Sequence, residues 1–186
     1  LFTQADIEIN LKSIITLRKN LFTKKKAIIA GPNFNKNKSV KSAEFVKEIN
    51  AACLLIDVKK MNKIGFFDED FFFSWEDVEL INRINLTNYK MIKVNNIFAN
   101  HHVSQSSVKD YKTEFLKSQN IIYGELLYDY KNQNLRLVKI IRKIMINFCI
   151  IIINFFILRF NISLINLGYL TGIIKFIKYY LKKLFL

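Results

Sequence analysis

Residues 65–77 combine the side chains that acid–base chemistry needs with an unusual density of aromatic rings. The stretch holds five carboxylates and six aromatic rings in thirteen positions, and no simple amphipathic period explains this mixture. It ends at Glu76 and Asp77, where a helix is expected to begin. A carboxylate at that place can act as a general base toward a bound hydroxyl group. The spacing also fits a structural alternative, a capping box between an N-cap Ser74 and Asp77.

Two further positions could bind a divalent cation. Asp6 stands where a short N-terminal strand is expected to run into a turn, and carboxylate oxygens suit such cations. The two histidines of the sequence, His101 and His102, follow a predicted strand and could ligate a metal or contact a phosphate. For each there is a structural alternative, a surface carboxylate for Asp6 and a solvated or hydrogen-bonded ring for the histidines.

The elements that must position these residues alternate between helix and strand through residue 100, which predicts an α/β layered domain. The Gly31-Pro32 pair is expected to close a buried strand at a turn, and an exposed loop should follow. Helices are expected at residues 11–21, 58–63 and 108–130, and another is expected to begin at 75 or 76. Residues 1–9 should form a strand that runs into an acidic turn, and buried strands are expected at 27–30 and 51–56. Residues 91–94 and 97–99 should form either a pair of strands or one bent strand.

The last 56 residues differ from the rest in charge. Of the net charge of +14, residues 131–186 carry +10 and hold no acidic residue. Positive charge concentrated where the chain is most apolar suits an anionic membrane surface better than a nucleic acid, so no nucleic-acid partner is expected. The 51% hydrophobic content excludes a disordered chain. Unpaired Cys53 and Cys149, both in apolar runs, indicate a reducing compartment.

Two uncharged runs within this tail, residues 144–158 and 160–174, are expected to form helices. Each run of 15 residues would reach about 23 Å, short of the roughly 30 Å hydrocarbon core. This favours helices that lie in the membrane interface, with Asn147, Asn154 and Asn161 as one polar stripe. The last helix would carry charge on one side, from Lys175, Lys178, Lys182 and Lys183. A transmembrane hairpin, a single tilted span and a soluble core are the alternatives. A Gly-x-x-x-Gly pair at 168 and 172 could permit close helix packing.

The order of these pieces resembles the C-terminal part of family-two glycosyltransferases, in particular the rhamnosyltransferase-like group. Residues 65–83 read G-F-F-D-E-D-F-F-F-S-W-E-D-V-E-L-I-N-R, close to the family pattern G-G-F-D-E-x-F-F-x-x-x-E-D-x-D-L-x-x-R. His101 matches a downstream histidine of the family. The resemblance covers roughly residues 1–107, more loosely outside 65–83.

The resemblance implies a truncated GT-A fold, a Rossmann-like nucleotide-diphospho-sugar transferase domain, in a metal-dependent inverting enzyme. Asp77 would deprotonate the acceptor hydroxyl, with Glu76 beside it in contact with acceptor or donor. Asp6 and His101, or His102, would hold Mg²⁺ or Mn²⁺. Asp6 falls at the last position of the family's metal motif, which here begins with the weak ligand Gln4.

Substrate contacts are expected at five positions. The resemblance implies that the turn Asn50-Ala51-Ala52 faces the sugar and that Arg83, at the end of the motif, contacts substrate. The indole of Trp75 could offer a ring face on which a sugar stacks, whereas Phe66, Phe71 and Phe72 are expected to lie in the core. The expected partners are a nucleotide-sugar donor and a glycan or lipid-linked acceptor.

These expectations give two domains: residues 1–130, the C-terminal part of the transferase domain, and residues 131–186, a basic apolar helical tail at the cytoplasmic face of a membrane. Attachment is expected to be peripheral, with a spanning tail as the alternative. The family's nucleotide-binding half would precede Leu1, so this fragment alone would be inactive. The alternative function is a non-catalytic membrane-binding remnant or scaffold.

Overall fold

A computed structural model describes residues 1–4, 6–34, 42–101 and 110–185. In these ranges the chain is mixed α/β, with a five-stranded mixed sheet, a two-stranded sheet and six helices. It divides into two compact units. The first, the sheet unit, comprises Leu1–Asp68 and Asp77–Ser106; the second, the helical unit, comprises Glu69–Glu76 and Ser107–Leu186.

The larger sheet of the sheet unit has the strand order β1-β5-β3-β6-β4. Strands β3 and β6 run parallel at its centre, while β1, β5 and β4 pair antiparallel with their neighbours. A separate ladder joins β2 to β7. The strands are β1 (Phe2–Thr3), β2 (Ile7–Glu8), β3 (Ala27–Asn33), β4 (Ala43–Val46), β5 (Cys53–Ile56), β6 (Lys90–Phe98) and β7 (Asn100–His101).

Three helices belong to the sheet unit: α1 (Leu11–Thr23), α2 (Val58–Ile64) and α3 (Glu76–Asn85, whose first residue falls in the helical unit). Side chains cap the first two, because Asn10 accepts a hydrogen bond from the Ser13 N–H and Asp57 accepts one from the Lys60 N–H. The apolar sides of the helices cover the sheet. The buried core between them includes Leu17, Leu21, Ile28, Ile29, Leu54, Met61, Leu80, Ile84, Met91 and Ile92.

Strand β3 is longer than the sequence indicates. Gly31 and Pro32 do not end it, and the strand continues to Asn33 along its parallel neighbour β6. Close packing requires a glycine at position 31, because a Cβ there would come within 2.7 Å of the Ile49 side chain. Part of the expected loop at 33–43 lies outside the described residues, but Ala43 opens strand β4.

The helical unit contains α4 (Tyr111–Lys131), α5 (Leu137–Phe156) and α6 (Phe160–Leu184). Helices α4 and α6 pack closely through the Gly-x-x-x-Gly pair. A Cβ on Gly168 would overlap Ser118 and Phe115, and one on Gly172 would overlap Ile122 and the Gln119 backbone. The weak sequence signal for helix packing is thus confirmed.

Lysines of α5 pair with carboxylates of α4. Lys139 contacts Glu125 at 2.7 Å and Asp129 at 2.5 Å, and Lys143 contacts Glu125 at 3.0 Å. Burial raises the pKa of the Glu125 carboxyl, but the hydrogen bonds from both lysines outweigh it and leave that pKa below its usual range. The domain boundary expected at residue 130 remains a prediction; by its contacts, α4 groups with α5 and α6.

One expectation for the tail is confirmed and one is wrong. Helix α6 includes the four expected lysines within its 25 residues, and it is the one helix among the described residues that length and composition allow to cross a bilayer. The helix is thus longer than its uncharged run. Asn147, Asn154 and Asn161 do not form one polar stripe, because the first two are buried on α5 while Asn161 is exposed on α6.

Candidate functional site

The two expected metal ligands, 95 positions apart in the sequence, are brought to neighbouring strands. In the β2–β7 ladder Ile7 pairs with His101 and Glu8 pairs with Asn100. Asp6 directly precedes Ile7 and is half-buried in the turn before β2. The backbone thus places Asp6 beside the histidine strand. His102, the alternative ligand, lies outside the described residues.

Asp77 occupies the second residue of α3. Its side chain is half-buried, and its Oδ1 accepts a hydrogen bond from the Val78 N–H at 2.8 Å. The helix N-terminus stabilises a negative charge at this position. The expected N-cap at Ser74 is wrong, since Ser74 and Trp75 both have φ of 74°, whereas an N-cap residue has an extended backbone. The capping-box alternative for Asp77 therefore loses its geometric basis.

Arg83 holds the first turn of the motif in place. Its guanidinium donates to the carbonyl oxygens of Ile64 (2.6 Å), Gly65 (2.8 Å) and Phe66 (2.6 Å), and to both carboxylate oxygens of Glu79 (2.8 and 2.7 Å). All five N–H groups thus have acceptors, and the hydrogen bonds to Glu79 raise the pKa of Arg83. These donors serve the protein backbone and Glu79, which gives Arg83 a structural function; its contact with substrate remains a prediction.

The backbone conformation and the packing at residue 65 both explain why the motif begins with glycine. Gly65 ends α2 with φ of 85°, a conformation that a side chain disfavours. A Cβ there would also lie 2.8 Å from the Arg83 guanidinium. The backbone and the arginine therefore both require glycine at this position.

The aromatic part of the motif, residues 69–76, packs within the helical unit. Phe71 is 5% exposed in its core, and the Trp75 ring lies 5.4 Å from the Tyr128 ring. Gly124 of α4 leaves room for Trp75, since a Cβ there would come within 2.9 Å of the indole. This packing gives Trp75 a structural function, and its stacking on a sugar remains a prediction.

Asp70 fixes the same segment through polar contacts. Its Oδ2 accepts from the Lys131 ammonium at 2.7 Å and from the Tyr179 hydroxyl at 2.8 Å. The hydrogen bond from Lys131 holds the pKa of Asp70 below its usual range. Burial, together with the bond to Asp70, raises the pKa of Tyr179. Both partners lie on helices of the tail, Lys131 at the end of α4 and Tyr179 in α6.

The burial of the aromatic residues corrects a further expectation. The sequence places Phe66, Phe71 and Phe72 in the core, yet Phe72 is 83% exposed and Phe66 is 42% exposed. Phe73 is exposed as well. Phe72 is therefore the ring of this stretch with most surface available to an apolar or sugar ligand.

The Asn50 turn borders an open cavity in the sheet unit. Asn50 is exposed and its Oδ1 accepts from the Ala52 N–H at 2.9 Å, while the side chains of Ala51 and Ala52 are buried. A ligand here would meet Asn50 and the turn backbone rather than the alanine side chains. The cavity has a volume of about 340 Å³ and is lined by Pro32, Asn33, Phe34, Glu48, Ile49, Asn50 and Lys93.

Lys93 and Asn33 are polar residues of this cavity that the sequence did not single out. They come from the parallel strands β3 and β6, so that strand pairing rather than sequence proximity unites them. The sequence signal that could have identified Lys93 is its position as the one charged residue in the apolar segment Met91-Ile92-Lys93-Val94. The ammonium of Lys93, the amides of Asn33 and Asn50 and the carboxylate of Glu48 together offer hydrogen bonds to a hydroxyl-bearing ligand.

Within the described ranges no group of three or more His, Cys, Asp or Glu side chains gathers into a metal site. A carboxylate such as that of Asp6 suits Mg²⁺ or Mn²⁺, whereas an imidazole suits transition metals rather than Mg²⁺. No family model, curated protein or solved structure matches the chain.

Proposed function

We propose that the chain is part of an inverting glycosyltransferase that moves a sugar from a nucleotide-sugar to a hydroxyl group of a glycan or lipid-linked acceptor. The observation that carries the proposal is the pairing of β2 with β7. The pairing brings the backbone of Asp6 close to the strand that contains His101, although 95 positions separate the two residues.

Asp77 is the proposed general base. One carboxylate oxygen accepts the hydrogen bond from the Val78 N–H, and the second oxygen would accept a proton from an acceptor hydroxyl. Glu76 precedes it and would contact acceptor or donor. A divalent cation held by Asp6 and His101 would neutralise charge on the diphosphate leaving group. Asn50 and Lys93 line the cavity proposed for the donor.

A membrane is the proposed location, at its cytoplasmic face. The +10 charge of residues 131–186 suits anionic lipid, and α6 is apolar enough to associate with a bilayer. Cys53 and Cys149 are both free thiols, in keeping with a reducing compartment. A lipid-linked acceptor would then lie in the same membrane as the enzyme.

The test replaces Asp77 by Asn in the longest natural chain that contains residues 1–186. Sugar transfer is measured with a panel of nucleotide-sugars and a lipid-linked acceptor extract. We expect a loss of turnover of about 10²-fold or more, because the base is removed while the shape is kept. Glu114→Gln, on the surface of α4, is the matched control and should retain activity. Turnover near that of the control would remove Asp77 as the base.

The scaffold alternative is favoured by Gln4, a weak ligand at the position where the family's metal motif has aspartate or asparagine. It predicts no affinity for any nucleotide-sugar with or without Mn²⁺. Calorimetric titration of the same chain with the donor panel separates the two functions, because binding does not depend on turnover. Binding that requires Mn²⁺ and is weakened by Asp6→Ala supports the transferase; its complete absence supports the scaffold.

A further inference from the structure

Helix α5 has its polar and apolar sides reversed relative to a helix of a water-soluble protein. Asn147 and Asn154 face inward and are 8% and 9% exposed, and each Nδ2 donates to the carbonyl oxygen four residues earlier. The outward side chains are apolar, with Met145 62%, Phe148 56% and Phe156 78% exposed. A water-facing helix shows the opposite arrangement.

The outward face of α5 is also free of charge over most of its length. The basic residues of its first two turns include Lys139 and Lys143, whose ammonium groups are bound by carboxylates of α4. From Ile144 to Leu158 the sequence has no charged residue. An exposed apolar face of this extent on a soluble protein marks an interaction surface.

The charge of the tail indicates which partner covers this face. Residues 131–186 carry ten basic residues and no acidic one. A second copy of the tail would bring like charges together, whereas an anionic lipid surface attracts each Lys or Arg near it. Lipid hydrocarbon also satisfies a convex apolar face without a complementary groove. The observations therefore favour lipid over a second copy of the chain.

The charged residues on α4 limit how deeply the helical unit can insert into a membrane. Helix α4 covers one side of α6, where its first turns carry the exposed Lys112 and the Lys117–Glu114 ion pair at 3.5 Å. That side must stay in water, because charged groups are costly in hydrocarbon. Helix α5, about 30 Å long, presents the uncharged face.

We propose that the outward face of α5 inserts into the hydrocarbon of one leaflet of an anionic membrane, with α5 lying along the surface and α4 on the aqueous side. The tail is then held by apolar insertion, and charge assists it. This deepens the membrane part of the proposed function. It holds whether or not the chain transfers sugar, because vesicle binding is measured without nucleotide-sugar.

The native thiols provide the probe. Cys149 is exposed on α5 and Cys53 is fully buried, so a thiol-reactive, environment-sensitive fluorophore labels Cys149 selectively. The labelled full chain is mixed with vesicles of phosphatidylcholine containing a minority of phosphatidylglycerol, with and without acyl-brominated lipid. We expect a blue shift and strong quenching by the brominated acyl chains, retained at high salt in the bound fraction.

A matched pair of variants separates insertion from charge effects. Phe156→Glu on α5 and Phe22→Glu on α1 make the same change at exposed phenylalanines. We expect vesicle affinity to fall about tenfold or more for the first and less than about twofold for the second. Equal effects, or a bound label that brominated chains do not quench, would overturn the proposal. So would a dimer of the labelled chain, seen by sedimentation, whose label is shielded from lipid.

Discussion

Arg83 offers the sharpest test of how the motif is built. Replacing it by Met keeps most of the aliphatic volume and removes all five hydrogen bonds, three of them to consecutive carbonyl oxygens at residues 64–66. If Arg83 only bound substrate, the substitution would change the stability of the ligand-free chain very little. The prediction therefore separates a structural function from a binding function.

The expected loss follows from the burial of each acceptor. The carbonyl of Ile64 is part-buried, and losing a hydrogen bond from a charged donor there costs about 2 kcal/mol. Water can reach the carbonyls of Gly65 and Phe66, whose hydrogen bonds are exposed, so they add little. The partly exposed pair with Glu79 adds about 1 kcal/mol or less. Arg83→Met should thus destabilise the sheet unit by about 3 kcal/mol.

The assay is hydrogen exchange of the full chain, read by mass spectrometry in peptides that cover residues 64–68 and strand β3. Exchange should accelerate about 100-fold in these peptides for a loss of about 3 kcal/mol. Arg18→Met, at an exposed arginine of α1 in the same unit, is the matched control and should change exchange little. Identical exchange in the two variants would refute the structural function of Arg83.

Two further predictions concern the helical unit. The pKa of Glu125 lies below its usual range in the folded chain, so its contribution to stability is complete above about pH 5 and is lost as the pH falls through that lowered pKa. Glu125→Gln should therefore flatten the dependence of the urea midpoint on pH between about 5 and 3, and an unchanged slope would contradict the assignment. Gly172→Ala should cost about 2 kcal/mol in urea unfolding, because a methyl group there overlaps α4. Leu167→Ala, on the exposed side of α6, should cost less than about 1 kcal/mol, and equal losses would argue against close packing at Gly172.

The periodic elements were predictable from the sequence. Apolar spacing predicts a helix over 11–21, and α1 covers Leu11–Thr23; the expected helix over 108–130 is α4, Tyr111–Lys131. The bent-strand alternative for 91–99 is confirmed as the single strand β6. Each of these segments keeps one spacing of apolar residues, so its secondary structure can be predicted from neighbouring residues alone.

Elements that depend on a distant partner were not predictable. Gly31-Pro32 reads as a turn, but pairing with β6 keeps it extended, which no local signal records. Ser74 reads as an N-cap, but the chain enters α3 through two residues of positive φ. In both cases tertiary contact outweighs local propensity.

The candidate site divides in the same way. Its carboxylates could be named from residue type and spacing, but the β2–β7 ladder joins segments that are far apart in the sequence and could not be predicted from either one. Arg83 could not be assigned from sequence, because a guanidinium that binds substrate and one that binds backbone carbonyls look alike in a motif. The exposure of Phe72 could not be predicted either, because the six aromatic residues in these thirteen positions follow no regular spacing that would show which of them are buried.

The lack of a period in residues 65–77 has a physical origin. The stretch serves two packing demands in succession: Gly65 to Asp68 belong to the sheet unit, and Glu69 to Glu76 pack on α4 and α6. In the second part Asp70, Phe71 and Trp75 are spaced by their contacts with Lys131, Tyr179 and Tyr128 rather than by a helix or strand. A chain that changes its partner within a few residues cannot keep one apolar period. The irregular mixture of acidic and aromatic residues is therefore what such a connection requires, and Asp77 begins where it ends.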